Sequence, residues 1–216
     1  IIKPFYKKTY KDAWLICEEP KEARDNGYHF FQYMVQNQPN QKCFYAIKKK
    51  SIDYKKVKKY GNIIEYGSIQ HWLAYFLCQY NISSQKGGKP NAAVCSFMEL
   101  TGFFQVHNIF LQHGVIINDL KWLYSDCSKI EKFITSTIPE TKFVEQKFGY
   151  PKGTVCLTGI PRFDALHDLV VEKKQILIMP TWRCWFNLRS KKNSNINSNF
   201  EESEYLNKWK ELLNND

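Results

Sequence analysis

At 216 residues and 44% hydrophobic content, the chain is long enough to bury a core and to make one or two domains. Its seven cysteines (Cys17, Cys43, Cys78, Cys95, Cys127, Cys156 and Cys184) are scattered, odd in number and without a CxxC pair, so they read as buried thiols in a reducing compartment rather than a disulfide framework or a zinc site. The net charge of +10 is uneven, with 14 Lys/Arg against 6 Asp/Glu in residues 1–60. That surplus suits an anionic lipid surface or a polyanionic polymer; without interleaved aromatics it does not suggest a nucleic-acid partner.

Short apolar strands alternate with helical segments along the chain, the pattern of βα units on a mostly parallel sheet. Ile1–Lys11 carries Ile1, Ile2, Phe5, Tyr6 and Tyr10 among four lysines and reads as an interfacial segment or a frayed terminus. A first strand is expected at Ala13–Cys17, ending in Glu18-Glu19-Pro20, and a helix from about Ala23 to Gln38. Strands follow at Cys43–Ile47 and Asn62–Tyr66, with a short lysine-rich helix between them. Ser68 stands at a helix N-cap before the apolar run Trp72–Leu77. Asn81–Ser84 is a short strand and Gly87–Pro90 a loop.

The segment Ile109–Val115 carries the most chemical information. An apolar run stops at Gln112-His113-Gly114, as a strand would that delivers one histidine to the carboxyl edge of a sheet, where open α/β folds bind ligands. The residues alone leave open whether His113 is chemical or merely caps a strand. The six-residue gap back to His107 puts both side chains on one face of an extended strand, but no carboxylate or cysteine completes a metal site, and none is expected. His29, His107 and His167 show no partner spacing. Further strands are expected at Phe133–Ser136, Thr154–Thr158 and Gln175–Met179, with a helix from Pro139 to Gly149. The charged connector Glu172–Lys174 divides a domain at residues 1–172 from an incomplete one at 173–216. Residues 189–203 are rich in Asn and Ser and read as a loop before a helix at about Glu204–Leu213. No stretch reaches the roughly 20 apolar residues of a membrane-spanning helix. With no initial Met and no secretory signal, the sequence reads as an excised piece of a longer protein.

Seven segments, in order across residues 13–183, resemble the CDP-glycerol glycerophosphotransferase family, the polymerases and primases of bacterial wall teichoic acid and related phosphopolymer capsules. They are Trp14–Glu18 with Ala23-Arg24-Asp25-Asn26-Gly27; Gly67–His71; Leu111–Val115; Thr135-Ser136; Phe148–Pro151; Thr158–Leu166; and Pro180-Thr181-Trp182-Arg183. The resemblance implies an α/β fold: a Rossmann-like parallel sheet forming the N-terminal half of a two-domain, glycosyltransferase-B-like enzyme whose second domain is truncated here. It implies transfer of glycerol phosphate or ribitol phosphate from a CDP-polyol to a hydroxyl of a lipid-linked glycerol phosphate polymer, with release of CMP and no cofactor.

Phosphoryl transfer asks for positioning, charge neutralisation and a proton acceptor. The resemblance gives His113 the part of general base and places Gly114, Val115, Ile116 and Ile117 against the donor. Arg183 would fork onto the diphosphate, and Thr181 would add a hydroxyl. Asp25 and Asn26 either orient the acceptor or cap a helix, and Ser68 is a cap. Arg162 and Asp164 are expected to form a local ion pair that holds the two halves together, while His71 is a packed core residue. The same fold with a nucleotide-sugar donor, or a non-enzymatic basic module that binds membrane or polymer, are the alternative readings. The basic first third places the protein peripherally on the cytoplasmic face of the membrane.

Overall fold

The computed structural model describes residues 4–85, 88–102, 104–166, 177–179, 200 and 202–214. The chain divides into two units, Ile1–His167 and Asp168–Asp216. In the first unit the elements run α1 (Pro4–Tyr10), β1 (Trp14–Cys17), α2 (Asn26–Asn37), β2 (Cys43–Ile47), α3 (Tyr54–Lys58), β3 (Ile63–Glu65), α4 (Ile69–Leu77), β4 (Tyr80–Ser83), α5 (Ala92–Leu100), β5 (Asn108–Phe110), β6 (Ile130–Thr135), α6 (Ile138–Phe148) and β7 (Val155–Leu157), with short 3-10 turns at Lys121–Leu123 and Pro161–Ala165. In the second unit α7 spans Glu204–Leu213 and is capped by Ser203, whose hydroxyl accepts from the Leu206 N–H at 3.2 Å.

Seven parallel strands form one sheet in the order β3-β2-β1-β4-β5-β6-β7. This is the doubly wound order extended by one strand, and its chain reversal falls between β1 and β4, where such sheets open a crevice at their carboxyl ends. Alternation along β1 and β2 separates the two cores. Leu15, Cys17, Phe44 and Ala46 face one layer with Tyr10, Ala74, Tyr75 and Cys95, whereas Ile16, Cys43, Tyr45 and Ile47 face Phe31, Met34 and Val57 of α2 and α3. A third cluster, Phe110, Leu123, Phe133, Val144, Phe148 and Val155, buries α6 against the far strands.

Most expected elements are present with boundaries within a few residues, and four differ in kind. Pro4–Tyr10 is a helix, with Tyr10 buried against Phe44 at 5.2 Å between ring centres. Residues 92–100 form α5, which Asn91 opens by accepting from the Val94 N–H at 3.1 Å. Leu111–His113 lies outside β5, because Gln112 adopts a left-handed backbone with φ 53° that breaks the extended chain. Leu177–Met179 carries no strand, and the rest of the expected strand at 175–179 lies outside the described residues. Cys17, Cys43, Cys78 and Cys95 are buried thiols as expected, but Cys127 is exposed. Among the described residues no helix is long and apolar enough to cross a membrane.

Candidate functional site

Three loops meet at the carboxyl edge of the sheet: the one between β1 and α2, the one after β5, and the one after β7. Asp25 and Asn26 join them. Asp25 caps α2, its Oδ1 accepting from the Asn26 N–H at 2.8 Å. The same oxygen takes the Arg162 guanidinium at 2.8 Å, and Oδ2 stands 3.6 Å from His113 Nδ1. Asn26, fully buried, donates from Nδ2 to the Gln112 carbonyl at 2.8 Å and accepts the Arg162 backbone N–H on Oδ1 at 3.2 Å. The pair therefore both caps the helix and stitches the edge together. Gly27 follows because α2 lies hard against β1: a Cβ there would sit 3.0 Å from the Cys17 carbonyl oxygen.

Two buried carboxylates hold the loops rigid. Glu18, at the end of β1, accepts the backbone N–H groups of Arg24 (2.6 Å), Asp25 (3.1 Å) and Tyr28 (2.8 Å). Burial pushes its carboxyl up, and those three N–H groups pull it partly back. Glu140, three residues after the α6 cap Thr137, accepts from Gln112 Nε2 (2.9 Å), Ile116 N (2.7 Å), Ser136 N (2.8 Å) and Ser136 Oγ (3.0 Å). Gln112 also donates to the Ile134 carbonyl at 2.6 Å. The His113 loop is thus pinned on both sides, by Gln112 and by Ile116, while the His113 side chain itself stays 67% exposed.

A third carboxylate secures the β1–α2 loop from below. Asp53 accepts from Ala23 N at 3.1 Å and Arg24 Nε at 2.8 Å. Burial tends to raise its carboxyl, but the Ala23 N–H, the Arg24 guanidinium and nearby Lys56 together hold it low. Lys56 spans the same loop, donating to the Ala23 carbonyl with its ammonium 3.8 Å from the Tyr28 ring centre.

The expected site residues separate into groups. His113, Asp25, Asn26 and Arg162 come together. Gly114 is uncrowded, with nothing within 4 Å of where a Cβ would stand, and Val115 and Ile117 are exposed beside it. Ile116 turns inward instead: its side chain packs with Phe110 and Phe133, and its N–H is taken by Glu140. Arg162 pairs with Asp25, 137 residues away in sequence, rather than with Asp164. Ser68 caps α4 by accepting from the His71 N–H at 3.2 Å. His71 is fully buried, its Nδ1 accepting from the Gly67 N–H at 3.0 Å, and burial lowers its pKa to about 4. His107 has a partner, Glu131, at 2.6 Å on the neighbouring strand. It does not share a face with His113, because the left-handed turn at Gln112 intervenes. Thr181 and Arg183 lie outside the described residues.

Sequence reasoning gave no structural role to Glu18, Gln112 or Glu140. A Thr-x-x-Glu spacing signalled Glu140 as a capping residue, but nothing local showed that its carboxylate would also hold the loop that carries His113.

With this geometry in place, comparison with known proteins gives a consistent result. Residues 2–212 match the model of the family described as CDP-glycerol:poly(glycerophosphate) glycerophosphotransferase. The chain is 33% identical over 218 aligned residues to the minor teichoic acid biosynthesis protein GgaB of Bacillus subtilis (strain 168); the match takes in 95% of this chain and 23% of that protein. Two solved structures of the wall teichoic acid polymerase TagF, one of them soaked with CDPG, superpose with TM-scores of 0.52 and 0.55 at 14% and 12% identity. Each superposition covers 74% of this chain and 41% of that one. At such identity the likeness establishes the fold. The chain spans about a quarter of the length of the curated relative it matches.

Proposed function

The chain belongs to the CDP-glycerol:poly(glycerophosphate) glycerophosphotransferase family, and we propose that the sheet edge around His113 is the reacting edge of a polyol-phosphate transfer site. On this reading, residues 1–172 are the acceptor-side domain of a two-domain, glycosyltransferase-B-like enzyme, and residues 173–216 open the nucleotide-binding domain. The donor is CDP-glycerol or CDP-ribitol, and the acceptor is the terminal hydroxyl of a lipid-linked phosphopolymer. The acceptor oxygen attacks the phosphorus that bears the polyol, the bond from that phosphorus to the bridging oxygen breaks, and CMP leaves with the electron pair. His113 takes the hydroxyl proton as general base. Asp25, at 3.6 Å from Nδ1, steadies the imidazolium that forms, and Arg162 holds Asp25 in place.

The observation that carries the reading is a solvent-reachable imidazole at the carboxyl edge, next to a carboxylate and beside the open backbone at Gly114. Gly114, Val115 and Ile117 are then the donor-facing residues of this edge, while Arg183 neutralises charge on the diphosphate and Thr181 adds a hydroxyl. In the protein that carries this chain, His113→Ala lowers turnover by about 10²–10⁴-fold, the usual contribution of a general base. Near-normal turnover with intact folding would remove His113 from the mechanism. A mass-spectrometric donor screen that finds turnover with UDP-sugars and none with CDP-polyols would overturn the donor assignment.

The same proposal places the protein peripherally on the cytoplasmic face of the membrane. Support comes from the surplus of 8 positive charges in residues 1–60, each lysine near an anionic surface contributing about 1 kcal/mol at most. Co-sedimentation with anionic but not neutral vesicles at low salt is expected; equal binding to both would refute it.

A further inference from the structure

Beside the reacting edge, a groove of about 480 Å³ runs between α2 and the 3-10 turn Pro161–Ala165. Its volume is in the range of a small-molecule site. On the α2 side it is lined by His29, Gln32, Tyr33 and Gln36. These residues follow the capping Asp25 at helical spacing, so one stripe of α2 leads from the carboxylate beside His113 down the groove to Gln36, about 16 Å at 1.5 Å per residue. Phe163 and Asp164 form the opposite wall.

The chemistry of this lining is specific. Tyr33 and Phe163 present half-exposed rings. Among the described residues, Gln32 and Gln36 make no side-chain hydrogen bond within the protein, which leaves amides that can both donate and accept. Among the described lining residues there is no lysine or arginine, and Asp164 adds a carboxylate. Phosphodiesters are held by guanidinium and ammonium groups, and a polyol-phosphate backbone finds neither among the described residues that line this groove. Aromatic faces with amides that serve both hydrogen-bond roles suit a neutral, hydroxyl-rich ring.

We propose that this groove is a subsite for an uncharged glycosyl unit of the acceptor, bound behind the hydroxyl that meets His113. The assignment rests on the transfer reading above for the direction of the chain, and it narrows the acceptor to one that carries a neutral sugar near its reacting end. Burial lowers the pKa of His29, with help from Lys56, which favours its uncharged form.

Saturation-transfer NMR on this chain tests the proposal with two probes, the neutral disaccharide maltose and a synthetic oligo(glycerol phosphate). Signal is expected from maltose, with binding weakened about fivefold or more by Tyr33→Ala and by Gln36→Ala. Both are surface positions whose loss leaves the fold intact by circular dichroism. Absence of transfer to maltose, or transfer that both variants leave unchanged, would overturn the proposal, as would oligo(glycerol phosphate) binding that these substitutions abolish. The experiment reads no turnover and uses no donor, so failure of the transferase reading and failure of the subsite show up in separate assays.

Discussion

Glu140 offers the sharpest test of how the His113 loop is held. Its carboxylate, 2% exposed, accepts four hydrogen bonds from Gln112, Ile116 and Ser136 at 2.7–3.0 Å. Glu140→Ala leaves the Ile116 and Ser136 backbone N–H groups without an acceptor, whereas Gln112 Nε2 keeps the Ile134 carbonyl. Hydrogen bonds to a charged group are worth about 1.5–3 kcal/mol each, so two lost bonds cost about 3–6 kcal/mol. That is a large share of the roughly 5–15 kcal/mol that separates folded from unfolded domains. Glu140→Gln keeps the shape and one oxygen. Its NH₂ can face Ser136, whose hydroxyl rotates to accept, so a single N–H is stranded at a cost of about 1–3 kcal/mol. Urea unfolding measures both values. Hydrogen exchange localises the effect, because the Ile116 amide should open more readily by a similar amount. An alanine variant within about 1 kcal/mol of wild type, or a glutamine variant as damaging as alanine, would refute the idea that this carboxylate anchors the loop.

The remaining predictions concern buried groups. His71, with its pKa lowered to about 4 by burial, is neutral in the folded chain while its unfolded counterpart titrates near pH 6.5. The unfolded chain therefore binds the extra proton first, and the His71 contribution to stability falls as pH drops from about 6.5 to 4, by roughly 3 kcal/mol in all. An NMR titration in which the His71 ring protonates near pH 6.5 in the folded protein would contradict this. Gly27→Ala would press a methyl group to 3.0 Å from the Cys17 carbonyl oxygen and 3.1 Å from Glu18 Oε2. α2 must then shift, and a loss of about 1–3 kcal/mol is expected in denaturant unfolding; an unchanged midpoint would show that the contact can relax.

Local chemistry was enough to locate most of the fold. The strand Cys43–Ile47 is buried along its whole length and matches its apolar run. The N-caps at Asp25 and Ser68, and the left-handed Gly149 that ends α6, follow from residue types whose preferences act within one turn. The placement of His113 at a carboxyl edge was legible for the same reason, since an apolar run ending in Gln-His-Gly encodes a strand end and little else. Residues 92–100 were not legible as a helix, because no apolar stripe matches the face α5 buries: Val94, Phe97 and Leu100 stay exposed while Glu99 is buried. The left-handed backbone at Gln112 was also hidden, being held by a carboxylate 28 residues away. Only the tertiary structure decided the partners. Arg162 lies two residues from Asp164 yet pairs with Asp25, because the turn after β7 crosses the sheet edge to reach the capped end of α2. A hydrogen bond or ion pair depends on where two chain segments meet in space, and a short sequence window carries no record of a partner more than a hundred residues away.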